Sequence, residues 1–290
     1  MAIKINTNVS SIKLTAHLNE ASDKMNAAME KLSTGVRLNS PSVDAAGFQI
    51  AQGLKTQLSG SLTAVANAEM GRSLMETAEG VLTTVNDSLM RVRDLVLEGL
   101  NGGYSAKERK SLETEVKARI EEIDRVTTSA KFNDFNVFDT SRGASDYVMF
   151  QIGSEADSAQ NTLKITGLFS KATFSLLSGS TLTASTIEFK DPSDPAGRTH
   201  METLLDQVNT AIDNVTARAT LAGTGINRLD SAVNTLTVQY ENLSAAYSSI
   251  NDADVAKESS EYTKQYIRLQ TTSSLLAQAN QVPSLALSLI

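Results

Sequence analysis

The sequence predicts a mainly α protein, an elongated antiparallel helical bundle or coiled coil of N- and C-terminal helices with small β-hairpins in the middle of the chain. Three observations carry this. Ile226, Leu229, Val233, Leu236, Tyr240, Leu243, Tyr247 and Ile250 follow one another at gaps of 3, 4, 3, 4, 3, 4 and 3, with no Gly or Pro between them. That is the heptad spacing of a helix seam, and at 1.5 Å per residue it describes a rod of roughly 36 Å. Leu14, Leu18, Ala21, Met25, Ala28 and Leu32 repeat the spacing within Val9–Thr34, which also lacks Gly and Pro. Strand-type content is confined to Tyr147–Ile152, Thr162–Ile165 and Thr186–Phe189, which are separated by Gly, Ser, Asp and Asn.

Composition agrees with slim helix seams. Of 290 residues, 41% are hydrophobic but only 5% aromatic, and Trp is absent. A net charge of −7 without any Lys/Arg run speaks against a nucleic-acid partner. With no Cys, disulfides, thiol nucleophiles and zinc–thiolate sites are excluded. MAIKINTNVSS has neither an apolar core nor a small-residue cleavage site, so no cleaved secretory signal is expected. Leu269–Ile290 carries no charge, yet Gln270, Thr271, Thr272, Gln278, Asn280, Gln281 and Pro283 make it too polar for a membrane span.

Taken in order, the first helix (9–34) ends at Gly35 and the turn-prone Asn39-Ser40-Pro41-Ser42. Its seam, with two alanines, is marginal alone. Asp44–Gly99 reads as a long helix, clearest at Ala78, Val81, Val85, Leu89, Val92 and Val96. Gly47, Gly53, Gly60, Gly71 and Gly80 weaken it by about 1 kcal/mol each, so close packing against a neighbour is expected at them. After the Asn101-Gly102-Gly103 turn, Ser105–Ser129 is an amphipathic helix with Leu112, Val116, Ile120, Ile123 and Val126 on one side. Asp191–Pro195 is a loop and helix resumes near Thr199, with Gly223-Thr224-Gly225 an irregularity before the heptad rod. Beyond Asn251-Asp252 it continues to about Gln281, with Val255, Tyr262, Tyr266, Leu269 and Leu276 on one stripe.

Chemistry is sparse. The two histidines, His17 and His200, are far apart in sequence, and HExxH, GxSxG and GxxxxGK[ST] are all absent. No enzyme, cofactor or metal site is therefore expected. The carboxylates of Glu108–Arg125 read as helix-surface ion pairs. Leu275, Leu276, Ala279, Val282, Leu285, Leu287, Leu289 and Ile290 form an apolar surface that points to packing between like chains.

Several strings resemble one family. INTNVSS, AMEKLSTGVRLNSPSVDAAGFQIAQGL, AEMGRSLMETAEG, LMRVRDLVLEGLNG and EEIDRVTTSAKFND in the first half are similar to bacterial flagellins. So are SINDADVAKESSEYTKQ and LLAQANQVPSLALSL at the end. Asn133-Asp134 departs from the usual Asn-Gly, and the middle is short, without large outer domains. The resemblance implies a self-assembling subunit of the extracellular flagellar filament, exported unfolded through the flagellar secretion channel. It implies five segments: a filament-core helix at 1–44, rod halves at 45–166 and 199–250, a short variable stretch at 167–198, and a second core helix at 251–290. Assembly residues are then Leu14, Leu18, Met25, Leu32, Leu269, Leu275, Leu276, Val282, Leu285 and Leu287. Implied partners are other copies, an export chaperone, cap and hook-junction proteins, and Toll-like receptor 5 of a host, read through an exposed face at Arg91, Leu95 and Glu115. A hook–filament junction protein and a secreted coiled-coil effector or adaptor are the alternatives.

Overall fold

The computed structural model describes residues 7–138, 147–155, 158–179 and 183–287, with backbone alone at 158, 159 and 282–287. The expected long helices are present: α1 Val9–Thr34, α2 Ala45–Gly99, α3 Ala106–Ser129, α6 Pro195–Asn251 and α7 Val255–Leu287. Between α3 and α6 lie two antiparallel hairpins, β1 Lys131–Phe132 with β2 Phe135–Asn136 and β3 Tyr147–Gln151 with β4 Thr162–Thr166. Two short helices, α4 Ser158–Asn161 and α5 Phe174–Leu177, and a 3₁₀ turn at Ala184–Thr186 complete the described elements. The chain divides into two compact units, Ser59–Tyr240 and Met1–Leu58 with Glu241–Ile290.

In the unit Ser59–Tyr240, α2 and α6 run antiparallel, as Arg72 Nη1 to Asp230 Oδ1 (3.3 Å) and Arg93 Nε to Asn209 Oδ1 (3.0 Å) require. Met75, Leu82, Leu89 and Val92 of α2, Ile120 and Ile123 of α3, and Met201, Val208, Val215 and Leu229 of α6 share one buried core. Ser105 starts α3 with a reciprocal capping box to Glu108, which satisfies donors at the helix end. The connection after β4 is no mere surface loop. Leu168, Phe169, Phe174, Leu177 and Ile187 are all buried in the same core, and Asp124 Oδ1 accepts the Phe174 N–H at 2.8 Å.

Three expectations need correction. Thr186–Phe189 is not a strand: the 3₁₀ turn ends at Thr186, Ile187 enters the core, and the Phe189 N–H donates to a side chain, Glu113 Oε2 (3.2 Å). Its β-type residues serve burial, which composition does not separate from pairing. Helix α6 begins four residues earlier than Thr199. Pro195 stands in the first turn, where its missing N–H is tolerated, and Asp194 Oδ2 accepts the Gly197 N–H at 3.2 Å. Gly223-Thr224-Gly225 is no irregularity, for α6 runs through it unbroken. Gly225 is buried, and a Cβ there would lie 2.8 Å from Ile165 Cδ1 and 3.4 Å from Met75 Sδ. The glycine is there for close approach.

The glycines of α2 fall into two kinds. A Cβ at Gly60 would meet Ser154 Cβ at 2.6 Å and one at Gly71 the Phe150 ring at 2.7 Å, so the β3–β4 hairpin lies directly on this helix. Asn67 Nδ2 donating to Gln151 O (3.2 Å) secures it. Gly53 and Gly80 have nothing within 4 Å.

The β1–β2 hairpin turns on Asn133 (φ 48°) and Asp134 (φ 63°), the left-handed pair of a type I′ turn. Asp tolerates this conformation less well than glycine. Asp134→Gly is expected to raise stability by about 0.5–1 kcal/mol, read as a higher urea midpoint at unchanged m-value.

Glu113 is the principal buried charge of α3. Its carboxylate takes Lys110 and Lys117 ammonium groups at 2.7 Å each and the Phe189 N–H. Burial by itself raises its pKa, but the two lysines and the amide together hold it below the usual carboxylate range. A depressed folded pKa means stability present above the unfolded value of about 4.3 and lost as pH falls through the folded one. The gap in melting temperature between wild type and Glu113→Gln should therefore be widest at pH 6–7 and close below about pH 4.

Candidate assembly surface

Helices α1 and α7 pair within the unit formed by Met1–Leu58 and Glu241–Ile290, and they run antiparallel. Near the start of α1, Asn8 Nδ2 donates to Ala279 O at 2.8 Å; near its end, Lys31 Nζ meets Glu258 Oε1 at 3.3 Å. Asn8 works at both ends of its amide, since its Oδ1 also caps α1 by accepting the Ser11 N–H (3.0 Å). The carbonyl it serves needs a donor. Four residues beyond Ala279 stands Pro283, within α7 and without an N–H to give.

The α1 seam is as the spacing predicts. Ala21 and Ala28 are buried, and Leu14, Leu18, Met25 and Leu32 are half-buried. The α7 seam differs. Leu269 and Leu276 are half-buried against α1, but Val255 (63% exposed) and Tyr266 (45%) lie off the seam. In their place the seam buries Glu258 and Gln265. Gln265 satisfies itself within its own helix, donating to Glu261 Oε1 (2.6 Å) and accepting from Arg268 (3.3 Å). That hydrogen bond, with Lys264 beside it, holds the Glu261 carboxyl below the usual range. Tyr266 stacks on Tyr262 with ring centroids 6.4 Å apart.

A pair that buries two alanines, a glutamate and a glutamine, and its leucines and methionine only in part, gains only modestly from its own contact. The same helices leave large aliphatics in solvent: Ile12 (62%), Met29, Ile267 and Leu275 (45%). Ile267 follows Tyr266 and lies about 100° round the helix from it, so the exposed apolar surface covers more than one side. Of the expected residues, only Leu275 belongs to this exposed set; Val282, Leu285 and Leu287 fall outside the described side chains. Ile12, Met29 and Ile267 were missed because they stand off the heptad. An apolar residue off a complete seam is the signal that finds them.

The face expected at Arg91, Leu95 and Glu115 is only partly a face. Arg91 and Glu115 are exposed and paired at 3.2 Å. Leu95, expected to be exposed beside Arg91, is fully buried in the α2–α3–α6 core. Although it is four residues from Arg91, the core claims its side of the helix.

A family model described as "Bacterial flagellin N-terminal helical region" matches residues 5–142, and its C-terminal counterpart matches 205–290. The chain belongs to the bacterial flagellin family. Flagellins of Listeria monocytogenes and Bacillus subtilis are each 33% identical to it, covering 99% of this chain and 99% and 100% of theirs. Being a flagellin, it is a structural subunit of the extracellular flagellar filament, without a large outer domain. No described helix is long and apolar enough to cross a membrane. A putative flagellar hook-associated protein from Vibrio parahaemolyticus shares the fold, at 19% identity and TM-score 0.59 over 72% of this chain and 100% of its own. The full-length match to flagellins disfavours the hook-junction alternative.

Proposed function

We propose that α1 and α7 build the inner layer of the filament, and that copies of this flagellin bury one another's exposed apolar side chains there. The observation that carries this is that the α1–α7 seam buries Glu258 and Gln265 while its leucines stay half-buried and Ile12, Met29, Ile267 and Leu275 lie exposed outside it. Leu14, Leu18, Met25, Leu32, Leu269 and Leu276 hold the pair, while Leu275 and the tail residues Val282, Leu285 and Leu287 meet neighbours. On this reading 1–44 and 251–290 are filament-core segments, 45–166 and 199–250 the surrounding rod, and 167–198 the short variable stretch. The pair's weak seam also suits export as an unfolded chain, kept from premature association by an export chaperone and delivered to cap and hook-junction proteins; family membership supports these partners.

Limited proteolysis tests the core assignment. Residues 1–40 and 255–290 should be trimmed from monomer, leaving a fragment near 45–250, and spared in filaments. Identical cleavage rates in both states would refute it. Recognition of shed monomer by Toll-like receptor 5 is then assigned to the exposed Arg91–Glu115 pair. Arg91→Ala and Glu115→Ala should each weaken receptor binding without changing the melt. Leu95→Ala is a core truncation costing about 2–5 kcal/mol and reports packing instead.

A further inference from the structure

No glycine follows Gly225 and no proline stands between Pro195 and Pro283, yet the helix stops at Asn251 and restarts at Val255. Sharp helix breaks ordinarily have a Pro or Gly behind them. In a continuous α-helix the Ile250 carbonyl would take the Asp254 N–H, the Asn251 carbonyl the Val255 N–H, and the Ser249 carbonyl the Ala253 N–H. Here Arg37 occupies the first two. Its guanidinium donates to Ile250 O through both Nε (3.1 Å) and Nη2, and its backbone N–H donates to Asn251 O at 2.7 Å. The Ala253 N–H turns to Gly35 O (2.9 Å), and Val36 bridges Asp252 in antiparallel fashion. Asp254 then caps the new helix, its Oδ1 accepting the N–H groups of Ala256 (2.9 Å) and Lys257 (3.1 Å).

We propose that Arg37 is the positioning residue that divides α6 from α7, by taking the two carbonyls through which one helix would pass into the other. The break is then a tertiary feature, written 213 residues away from the carbonyl it caps. The clasp also joins the turn after α1 to the turn before α7, so it sets where these two helices begin to pair. Lose it, and the chain runs helical through 252–254 while α1 loses its anchor beside α7. This last step rests on the filament reading; the division of the helix does not.

The test uses the full-length chain with Arg37→Ala, Arg37→Lys and the double variant Arg37→Ala/Val255→Pro. A proline at 255 removes the N–H that a continuous helix would give to Asn251 O and disfavours that helix by about a hundredfold, whereas the first position of α7 accepts it. Two readouts are taken: the ¹³Cα shifts of Asp252–Asp254, and the rate of polymerisation on wild-type seeds. Arg37→Ala should move the shifts to helical values and slow polymerisation about tenfold or more, since hydrogen bonds from a charged donor are lost. Arg37→Lys, with a single ammonium in place of the fork, should fall between. The proline variant should restore non-helical shifts and bring the rate back to within about threefold of wild type. Unchanged shifts in Arg37→Ala would show that the break does not need the guanidinium, overturning the proposal. A restored break without a restored rate would overturn Arg37's positioning role. If wild type itself fails to grow on seeds, the filament reading falls, while the shifts still decide the clasp.

Discussion

Deletion of Val282–Ile290 is expected to abolish filament growth while the melt of the Ser59–Tyr240 unit stays where it is. The deleted segment, VPSLALSLI, carries five large aliphatic side chains and no charge. Each contributes about 1.5–3 kcal/mol once fully buried. An energy of that order, lost at every subunit, lifts the concentration needed for polymerisation by several powers of ten. The Ser59–Tyr240 core, by contrast, is built wholly from α2, α3, α6 and the segments between them. Light scattering after seeding reads the first effect and circular dichroism on heating reads the second. Normal filaments from the truncated chain would show that the tail has no part in assembly.

The same substitution should act with opposite sign at two glycines of one helix. At Gly71 an alanine methyl would sit 2.7 Å from the Phe150 ring, and at Gly80 it would meet nothing within 4 Å. Gly80→Ala is expected to stabilise by about 0.5–1 kcal/mol, the difference in helix propensity. Gly71→Ala gains the same propensity but must push the β3–β4 hairpin off α2, and overpacking of this kind costs about 1–3 kcal/mol. Gly71→Val, with two more carbons and a smaller helix advantage, should lose about 3 kcal/mol or more and leave the Asn67–Gln151 bond unmade. Urea midpoints of the three variants give the signs directly. A Gly71→Ala variant stabilised as much as Gly80→Ala would mean that the hairpin yields without cost.

What could be read from the sequence is what depends on near neighbours. The end of α1 follows from Gly35, and the burial of Leu229 and Leu236 in α6 follows from unbroken 3–4 spacing, although Tyr240 of the same series is exposed. The hidden features depend on contacts distant in sequence. Thr186–Phe189 looked like a strand because burial and pairing favour the same residues. Gly225 looked like a break because its reason, the approach of Ile165 and Met75, lies 60 and 150 positions away. The candidate surface was half legible for the same cause. A heptad names the residues that face a partner helix, so it found Leu14 and Leu18; it is silent about Ile12 and Ile267, and it cannot show that Leu95 turns inward.

The contact between Asn8 and Ala279 joins residues 271 apart, outside links at separations of 213 (Arg37–Ile250), 158 (Arg72–Asp230) and 116 (Arg93–Asn209). These links are nested like the teeth of a zip. Closing 271 residues at once costs about 5 kcal/mol of chain entropy, against about 3.5 for the few dozen left once Arg37 has found Ile250, roughly tenfold in the closing equilibrium. The economical order therefore runs from the middle of the chain outward, and the two ends meet last. For a chain delivered end-first through a narrow exit, the helix that emerges first is among the last to be completed, and it waits for the other end to arrive.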